Sequence, residues 1–586
     1  MASLQDPYPE VELAAPPLAR PLHEPSPLLS RRSDTQDADD VSESSSYRTS
    51  HSRSGSKRES FNMSGSTFLV TSSGTTLRLP IPSDSKSDPL NWTPWKRAGA
   101  MFALAWFFVM SSTAVQAPSV FLPGIAVEFG QQDVRPWAME SIITAPTLFI
   151  GIGALLWVPL SLAMGRRPVF LIVALMQPLA TLGAGLSPNF HTLFACACII
   201  GLGQGFSVTA AFLMVVDLTF IHQRTRAVAS IWSVLAGAGT GFLAIVPYLS
   251  PPGTWRPFYY YWSIPMALSF PLALLLYPET YFKRPTVAFD GLILLQSATE
   301  KLTIYKDLDI GSDIYRDLPD LPSDYSQERT LFRRFCSYFQ FRCSPVTSWK
   351  SMGYCYIQMA HCAINPLIFW VLLASAIHWA SILFVGSTYT NILRSPPYTL
   401  RPSIIININI SSAVGAFLAY PVGGWLIDRV LKRMAQRNGG VREAEHFLIG
   451  YIPPALIGAC GSVLYGFAVH RQWHYSLFFV STGLTAFAWI TLCITNIMWL
   501  TEAFPRWAAP AVAVSGGACY IISFAIGFGL LPWISAHGFK LVGIELAFLQ
   551  LAAGLVAVPV AFWGKGARQA INGRWSEERS GALRPL

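Results

Sequence analysis

Long runs of apolar residues alternate with short polar stretches along most of this chain. A helix needs roughly 20 apolar residues to cross a hydrocarbon core about 30 Å thick. Twelve runs approach or exceed that length, at 98–120, 138–162, 168–187, 191–217, 228–248, 257–277, 365–388, 403–427, 447–469, 475–500, 508–532 and 541–563. The pattern predicts an all-α membrane protein with twelve transmembrane helices in two six-helix bundles.

Polar segments divide the chain into five predicted parts. These are a disordered cytoplasmic N-terminal tail (1–88), an N-terminal six-helix bundle (89–277), a central cytoplasmic loop (278–364), a C-terminal six-helix bundle (365–563) and a cytoplasmic C-terminal tail (564–586). The N-terminal tail has too few large apolar side chains to offset its conformational entropy. In the central loop, charged residues predict short amphipathic helices under the membrane: Glu300, Lys301, Lys306, Arg333 and Arg334.

The composition agrees with burial in lipid. Of 586 residues, 52% are hydrophobic and 13% are charged, about half of the roughly 25% charged residues of a soluble domain. The net charge of +9 does not require nucleic acid as a partner, because basic residues gather in cytoplasmic loops of membrane proteins. With both termini in the cytoplasm, most basic loops fall on the cytoplasmic side, among them Arg166, Arg167, Arg224, Arg226, Arg429 and Lys432.

Two short turns between apolar runs resemble one another. The first turn lies at the end of the stretch Trp157–Pro168, where Gly165 is followed by Arg166 and Arg167. The second, Gly423–Arg429, ends in Asp428 and Arg429. Gly165 permits a tight turn, and the arginines lie beside exposed helix carbonyls, which favour cations. We refer to the two turns as the first and second signature loops.

Four further fragments accompany these loops: Asp88–Trp92, Asp217–Arg224, Pro278–Tyr281 and Gly439–Glu445. Over about residues 90–570, the set resembles the fungal branch of the twelve-span drug:proton antiporter family, in the major facilitator superfamily. The resemblance implies two six-helix bundles that rock about a small organic solute bound between them. It also implies that protons drive transport.

The resemblance further implies a charge latch at the signature loops. In the family, an Asp in the first loop pairs across the bundle interface, but here Leu162 and Ala163 occupy the usual acidic and basic positions. The second loop keeps Asp428 and Arg429, so any latch should be lopsided, with Asp428 its stronger member. An Arg that many members carry in span four is replaced by Ala197. The alternative is that the loop charges only set the topology.

Few ionisable groups lie inside the predicted spans. Glu140, near the outer end of span two, is the first candidate for proton coupling; the alternative is an ordinary interfacial acid. His378 is well inside span seven, and an unperturbed pKa of about 6.5 suits proton exchange; the alternative is a hydrogen-bonded packing residue. Asp217 and Glu502 lie close to arginines in the sequence, which predicts structural ion pairs.

Neutral polar and aromatic residues at membrane depth supply the predicted substrate site. Buried polar groups in spans usually face the bundle interior. The predicted substrate-binding residues are Gln116, His378, Trp379, Asn407 and Asn496.

The predicted function is secondary active transport, with proton-coupled export of an amphipathic drug, toxin or secondary metabolite. One alternative is an uptake carrier for an organic cation or nutrient such as a polyamine, and another is a transporter-like sensor. We find no nucleophile–base constellation and no metal-ligand spacing, so we expect no enzyme, metal or cofactor. We expect a monomer in the plasma membrane. The vacuolar membrane is the alternative, because Glu24–Leu29 resembles an acidic dileucine signal.

Overall fold

The computed structural model describes residues 66–68, 88–130, 134–250, 253–281, 287–289, 292–296, 302–306, 348–438, 441–504 and 507–575. Helices dominate these residues, as expected where the bilayer offers backbone groups no other hydrogen-bond partner. The predicted disorder of the N-terminal tail lies largely outside the described residues. The predicted C-terminal tail (564–586) is described as far as Trp575, where the last helix ends.

The first half contains nine α-helices of eight or more residues among the described residues. They are α1 (Pro94–Gln116), α2 (Pro118–Glu128), α3 (Ser141–Met164), α4 (Arg166–Gly185), α5 (Phe190–Val208), α6 (Ala210–Asp217), α7 (Ile221–Gly241), α8 (Arg256–Ala267) and α9 (Ser269–Leu276). Short breaks separate α1 from α2, α5 from α6 and α8 from α9. Each of these pairs makes up one membrane-length segment.

The second half begins with a helix that precedes span seven. The described helices are α10 (Trp349–Ile364), α11 (Pro366–Arg394), α12 (Ile408–Tyr420), α13 (Ile427–Arg437), α14 (Ile452–His470), α15 (Ser476–Ala503), α16 (Ala508–Leu555) and α17 (Ala557–Trp575). Shorter helical turns occupy Pro402–Ile405, Pro421–Leu426 and Ala444–Tyr451. The first two join α12 and α13 into one membrane-length segment, Pro402–Arg437, and the third extends α14 to Ala444–His470.

Eleven segments of the described chain are long and apolar enough to cross a membrane. The last, Ala508–Ala567, has 60 residues, about three times the length that one crossing needs. Gly538, with φ 74° and ψ 162°, breaks the helical path inside it. The segment therefore accommodates two of the predicted spans, 508–532 and 541–563, and the predicted all-helical fold is confirmed.

The central loop differs in part from the sequence prediction. Three antiparallel strands, β2 (Val287–Phe289), β3 (Leu292–Gln296) and β4 (Leu302–Lys306), replace the amphipathic helix predicted around Lys306. That prediction rested on charged residues alone, whereas Thr303, Ile304 and Tyr305 favour a strand. Arg333 and Arg334 lie outside the described residues. The helix α10 does form in the last part of the loop.

The two halves meet along two pairs of spans. Helix α3 packs on α16, and α7 packs on α12 and α15. At the first contact the backbones nearly touch: a Cβ on Gly151 would lie 2.6 Å from the carbonyl oxygen of Gly517. A short antiparallel pairing of Ser66–Phe68 (β1) with Val441–Glu443 (β5) adds a piece of the N-terminal tail to the second half.

Candidate functional site

A cavity lies between the two halves, with about 420 Å³ of space including its mouth. Helices α5 and α7 of the first half and α11, α15 and α16 of the second half contribute its walls. The lining residues are Val208, Trp232, Ser375, Trp489, Cys493, Asn496, Ile497, Val512, Ser515, Gly516, Cys519 and Tyr520. None of them is ionised at neutral pH, so the cavity suits a solute without multiple charges.

Aromatic rings form much of the wall. Trp232 stacks on Phe212, with ring centroids 4.5 Å apart and planes 8° apart. In the second half, Trp379 lies edge-on to Trp489 and Tyr520, at 4.9 and 5.0 Å. Trp379, a predicted substrate-binding residue, therefore packs against two rings that line the cavity. Such pairs hold rings in fixed orientations, which preforms the apolar surface.

The polar side of the cavity is a hydrogen-bonded chain across three helical segments. The side-chain amide of Asn496 donates to Ser375 Oγ at 2.8 Å, and its oxygen accepts from the Tyr451 hydroxyl at 2.7 Å. Thr495 donates to the carbonyl of Gly450 at 3.1 Å, which has no helical partner because Pro454 lacks an N–H. The chain holds Asn496, a predicted substrate-binding residue, at the cavity wall.

Two other predicted substrate residues lie away from this lining. Gln116 donates to the backbone and hydroxyl oxygens of Ser112, one turn earlier in α1, at 3.2 and 3.0 Å. Asn407 is exposed at the start of α12. The structure therefore brings Asn496 and Trp379 together and leaves Gln116 and Asn407 elsewhere, so their substrate role stays a prediction.

The two predicted proton-coupling residues, Glu140 and His378, lie in different environments. Glu140 is exposed and directly precedes α3. His378 is buried, with Nδ1 2.9 Å from the Ala374 carbonyl oxygen and Nε2 3.3 Å from that of Pro454. A neutral ring has a single N–H for these two acceptors, whereas a protonated ring has two. His378 is one turn from Ser375 at the cavity wall.

At the first signature loop, a carboxylate holds the turn. Gly165 adopts φ 105°, and a Cβ at this position would lie 2.6 Å from Glu279 Oε2. Glu279 accepts from the backbone N–H groups of Arg166 and Arg167, at 3.1 and 3.2 Å, and from that of Tyr281 at 2.8 Å. It thereby satisfies the free N–H groups at the start of α4. Burial raises the pKa of Glu279, against the opposing effect of these donors and of Arg166.

Both arginines of the first loop bond within the first half. Arg166 is almost fully buried, with Nε 3.3 Å from Asp217 Oδ2 and Nη1 2.5 Å from Ser161 Oγ. Arg167 donates to the carbonyl of Leu274 at 2.9 Å. We call Arg166, Asp217 and Glu279 the first-half network. The predicted ion pair of Asp217 is therefore confirmed.

The second signature loop makes its main ion pair across the halves. Asp428 is buried, with Oδ2 3.0 Å from Arg226 Nε on α7 of the first half. The same oxygen lies 3.3 Å from Lys432 Nζ, one turn along α13. Arg429 instead stacks over the ring of Trp425, with its guanidinium carbon 3.6 Å from the centroid.

A second carboxylate near this loop also bridges the halves. Glu502 Oε1 lies 3.1 Å from Arg442 Nη2 of β5 and 3.7 Å from Arg224 Nη1 of the first half. All three side chains are buried, which confirms the predicted ion pair of Glu502. We call Arg226–Asp428 and Arg224–Glu502 the cross-half pairs. They join the halves at the predicted cytoplasmic end, which we call the closed end.

Asn496 is the one lining residue that the sequence predicted; Trp232, Ser375 and Tyr520 are among the lining residues that it missed. Trp232 is the single Trp of predicted span five, which was a usable signal. Ser375 and Tyr520 carried none, because similar residues occur throughout the apolar runs. Glu279 was noted within Pro278–Tyr281, but its contact with the first loop depends on the packing of distant helices.

Comparison with known proteins agrees with this architecture. A model of the Major Facilitator Superfamily matches residues 101–514. The chain belongs to the major facilitator superfamily. It is therefore a multi-pass membrane transporter, with the fold predicted from its sequence.

Individual relatives have low sequence identity to this chain, but their alignments cover most of it. An MFS-type transporter of Schizosaccharomyces pombe is 23% identical over 517 residues, covering 84% of this chain and 87% of the relative. The efflux pump radE of Floropilus chiversii is 26% identical over 498 residues, 83% of each chain. The solved proton:xylose symporter XylE is 13% identical with a TM-score of 0.50, covering 80% of this chain and 96% of that chain, a likeness of fold alone.

Proposed function

We propose that this transporter exports an amphipathic small organic solute in exchange for protons, by alternating access. The observation that carries the proposal is an uncharged aromatic cavity between the halves, closed at one end by ion pairs between them. Such a cavity binds apolar bodies by contact area, and a few neutral polar groups orient them. The similarity to the efflux pump radE favours export over uptake.

The lining chemistry supports the solute class. Trp232, Trp489 and Tyr520 offer ring faces, and Asn496 and Ser375 offer neutral hydrogen-bonding groups. A polyvalent cation in this cavity would have no carboxylate to replace its hydration, and an unpaired buried charge is costly. An amphipathic solute loses less hydration free energy when it enters the cavity, and it gains contact with the apolar wall.

The closed end supports alternating access. To admit a solute from the predicted cytoplasmic side, the molecule must break the cross-half pairs. Arg226 is partly exposed, so water replaces Asp428 as its partner when the pair opens. Partly exposed pairs contribute little net free energy, which suits a contact that must break in each transport cycle.

His378 is the proposed proton site within the second half. Protonation gives its ring a second donor, so that the contact with Ala374 within α11 and the contact with Pro454 of α14 both become hydrogen bonds. This links the protonation state to the packing beside Ser375. Glu140, at the opposite end of the bundle from the signature loops, is the proposed entry point for the proton.

The proposal is tested with protein in vesicles that contain a trapped pH-sensitive dye. Chloramphenicol, which is neutral and amphipathic, is added to one sample and spermidine, a polyvalent cation, to another. We expect chloramphenicol to move protons across the membrane and spermidine not to. Trp489→Ala should reduce the signal, and the matched control Trp563→Ala, on the lipid-exposed surface, should not. Proton movement with spermidine alone would favour the cation carrier and contradict the proposal.

A further inference from the structure

The helix α10, which precedes span seven, has two distinct faces. One face is buried and consists of Cys355, Gln358, Met359 and Cys362. It packs on α3 of the first half and α16 of the second half. The ring of His361 lies 6.1 Å from that of Trp507, at the start of α16. Burial raises the pKa of the Cys355 thiol to about 12, against the effect of the nearby Arg166 charge.

The opposite face of α10 is exposed and mostly apolar. It carries Trp349, Lys350, Tyr354, Tyr356, Ile357 and Ile364. Trp349 is 65% exposed and Ile364 is 76% exposed. An apolar and aromatic helix face of this kind is not expected to remain in water.

A second helix at the same end provides the contrast. Helix α13 exposes Arg429, Arg433, Gln436 and Arg437, as a helix face in water should. Two helices at one end of the molecule therefore present opposite chemistry on their free faces. Of these two helices, α10 has the free face suited to a membrane surface.

Two observations identify the covering partner as lipid. First, α10 leads through Asn365 into the spanning helix α11, whose own exposed Phe369 faces the hydrocarbon. Second, the sequence 329–350 carries basic residues and no acidic one: Arg329, Arg333, Arg334, Arg342 and Lys350. Trp and Tyr prefer the headgroup layer, and basic clusters attract anionic lipids.

We propose that α10 lies in the headgroup layer on the signature-loop side and binds anionic phospholipid through Lys350. Because its buried face contacts both halves, the lipid surface then acts on the same end of the molecule as the cross-half pairs. This inference concerns the bilayer and is independent of the transported solute.

Depth-dependent quenching tests the position of the helix. The full chain, in lipid nanodiscs, carries an environment-sensitive fluorescent amino acid at Tyr356, or at Ile357 if the first variant folds poorly. Matched probes at Gln436 and Phe369 mark water and hydrocarbon. We expect a headgroup-proximal spin-labelled lipid to quench the α10 probe more strongly than iodide or a deep label does. Quenching that matches either Gln436 or Phe369 would overturn the proposal.

A second arm tests the lipid charge. Phosphatidylserine is titrated into phosphatidylcholine nanodiscs while the α10 probe is recorded. Lys350→Gln should weaken the response about fivefold, the effect of one basic residue at an anionic surface. The control Arg433→Gln, on the water-facing side of α13, should leave it unchanged. An equal response in wild type and Lys350→Gln would contradict the proposed lipid site.

Discussion

The two signature loops begin with similar turns but bond in different directions. In the first loop, Arg166 and the turn itself are held by Asp217 and Glu279, which belong to the same half. In the second loop, Asp428 reaches Arg226 of the other half. The first loop therefore bonds within its own half, whereas the second loop joins the two halves.

The difference explains how the first loop tolerates the loss of its acidic residue. Leu162 is buried and apolar, where the family resemblance implies an Asp. The Glu279 carboxylate satisfies the N–H groups at the start of α4, so the turn keeps its shape. Contacts inside one half can persist through the proposed rocking motion, whereas Arg226–Asp428 must break in every cycle.

The largest expected effect is on the first-half network. Arg166→Gln removes a buried guanidinium that pairs with Asp217, and breaking a buried pair costs about 3–5 kcal/mol. We therefore expect a large drop in melting temperature and in the yield of folded protein. Size-exclusion chromatography after heating measures both. Arg429→Gln is the control, since Arg429 is exposed and stacks on Trp425; equal losses in the two variants would refute the distinction.

Asp428→Asn should act on transport and leave folding intact. The substitution removes the charge that holds Arg226, so the closed end should open more readily and coupled flux should fall up to about fivefold, the effect of roughly 1 kcal/mol. Flux at matched expression is the measurement. Leu162→Met, at the corresponding position of the first loop, should retain near-normal flux. Comparable flux in both variants would remove the basis for an asymmetric latch.

Arg224→Gln should have a similar but smaller effect. Glu502 keeps Arg442 at 3.1 Å after the 3.7 Å contact with Arg224 is lost. The remaining Arg442 contact satisfies the Glu502 carboxylate, so we expect a smaller loss of flux than in Asp428→Asn. Flux measured in parallel for Arg224→Gln and Asp428→Asn shows which of the two cross-half pairs matters more for transport. A greater loss in Arg224→Gln would make Glu502 the dominant contact.

The smallest effect concerns pH and the first-half network. Burial raises the pKa of Glu279, so the folded state binds this proton more tightly than the unfolded chain does. Its contribution to stability is therefore full below the ordinary value of 4.5 and is lost as the pH rises through the folded pKa. Glu279→Gln should flatten the fall in melting temperature over that window. Parallel pH profiles of wild type and variant would contradict this assignment.

Most of the helical fold could be predicted from the spacing of apolar runs along the sequence. Spans are predictable because lipid imposes one length and one composition on every crossing. The ion pairs of Asp217 and Glu502 were also predictable, since charges near span ends must find partners. The strands β2 to β4 were missed because the charges around Lys306 were weighted above the β-branched residues beside them.

The cavity was harder to predict than the fold. Asn496 and Gln116 are both amides at membrane depth, but Asn496 bonds across helices whereas Gln116 bonds to Ser112 of its own helix. That choice depends on which helices are neighbours, and apolar periodicity does not specify neighbours. The contact of Glu279 with the first loop has the same origin, since its partners are more than a hundred residues away.

A distance across the closed end tests the account most directly. Spin labels attached through genetically encoded residues at Gln223 and Gln436, both exposed, lie on opposite halves beside the Arg226–Asp428 pair. In nanodiscs without solute, wild type should give one short distance population by pulsed electron paramagnetic resonance. Asp428→Asn should add a longer population, and Arg226→Gln with Asp428→Asn should resemble the single variant. Three superimposable distributions would show that the pair does not hold the halves together and would contradict the account.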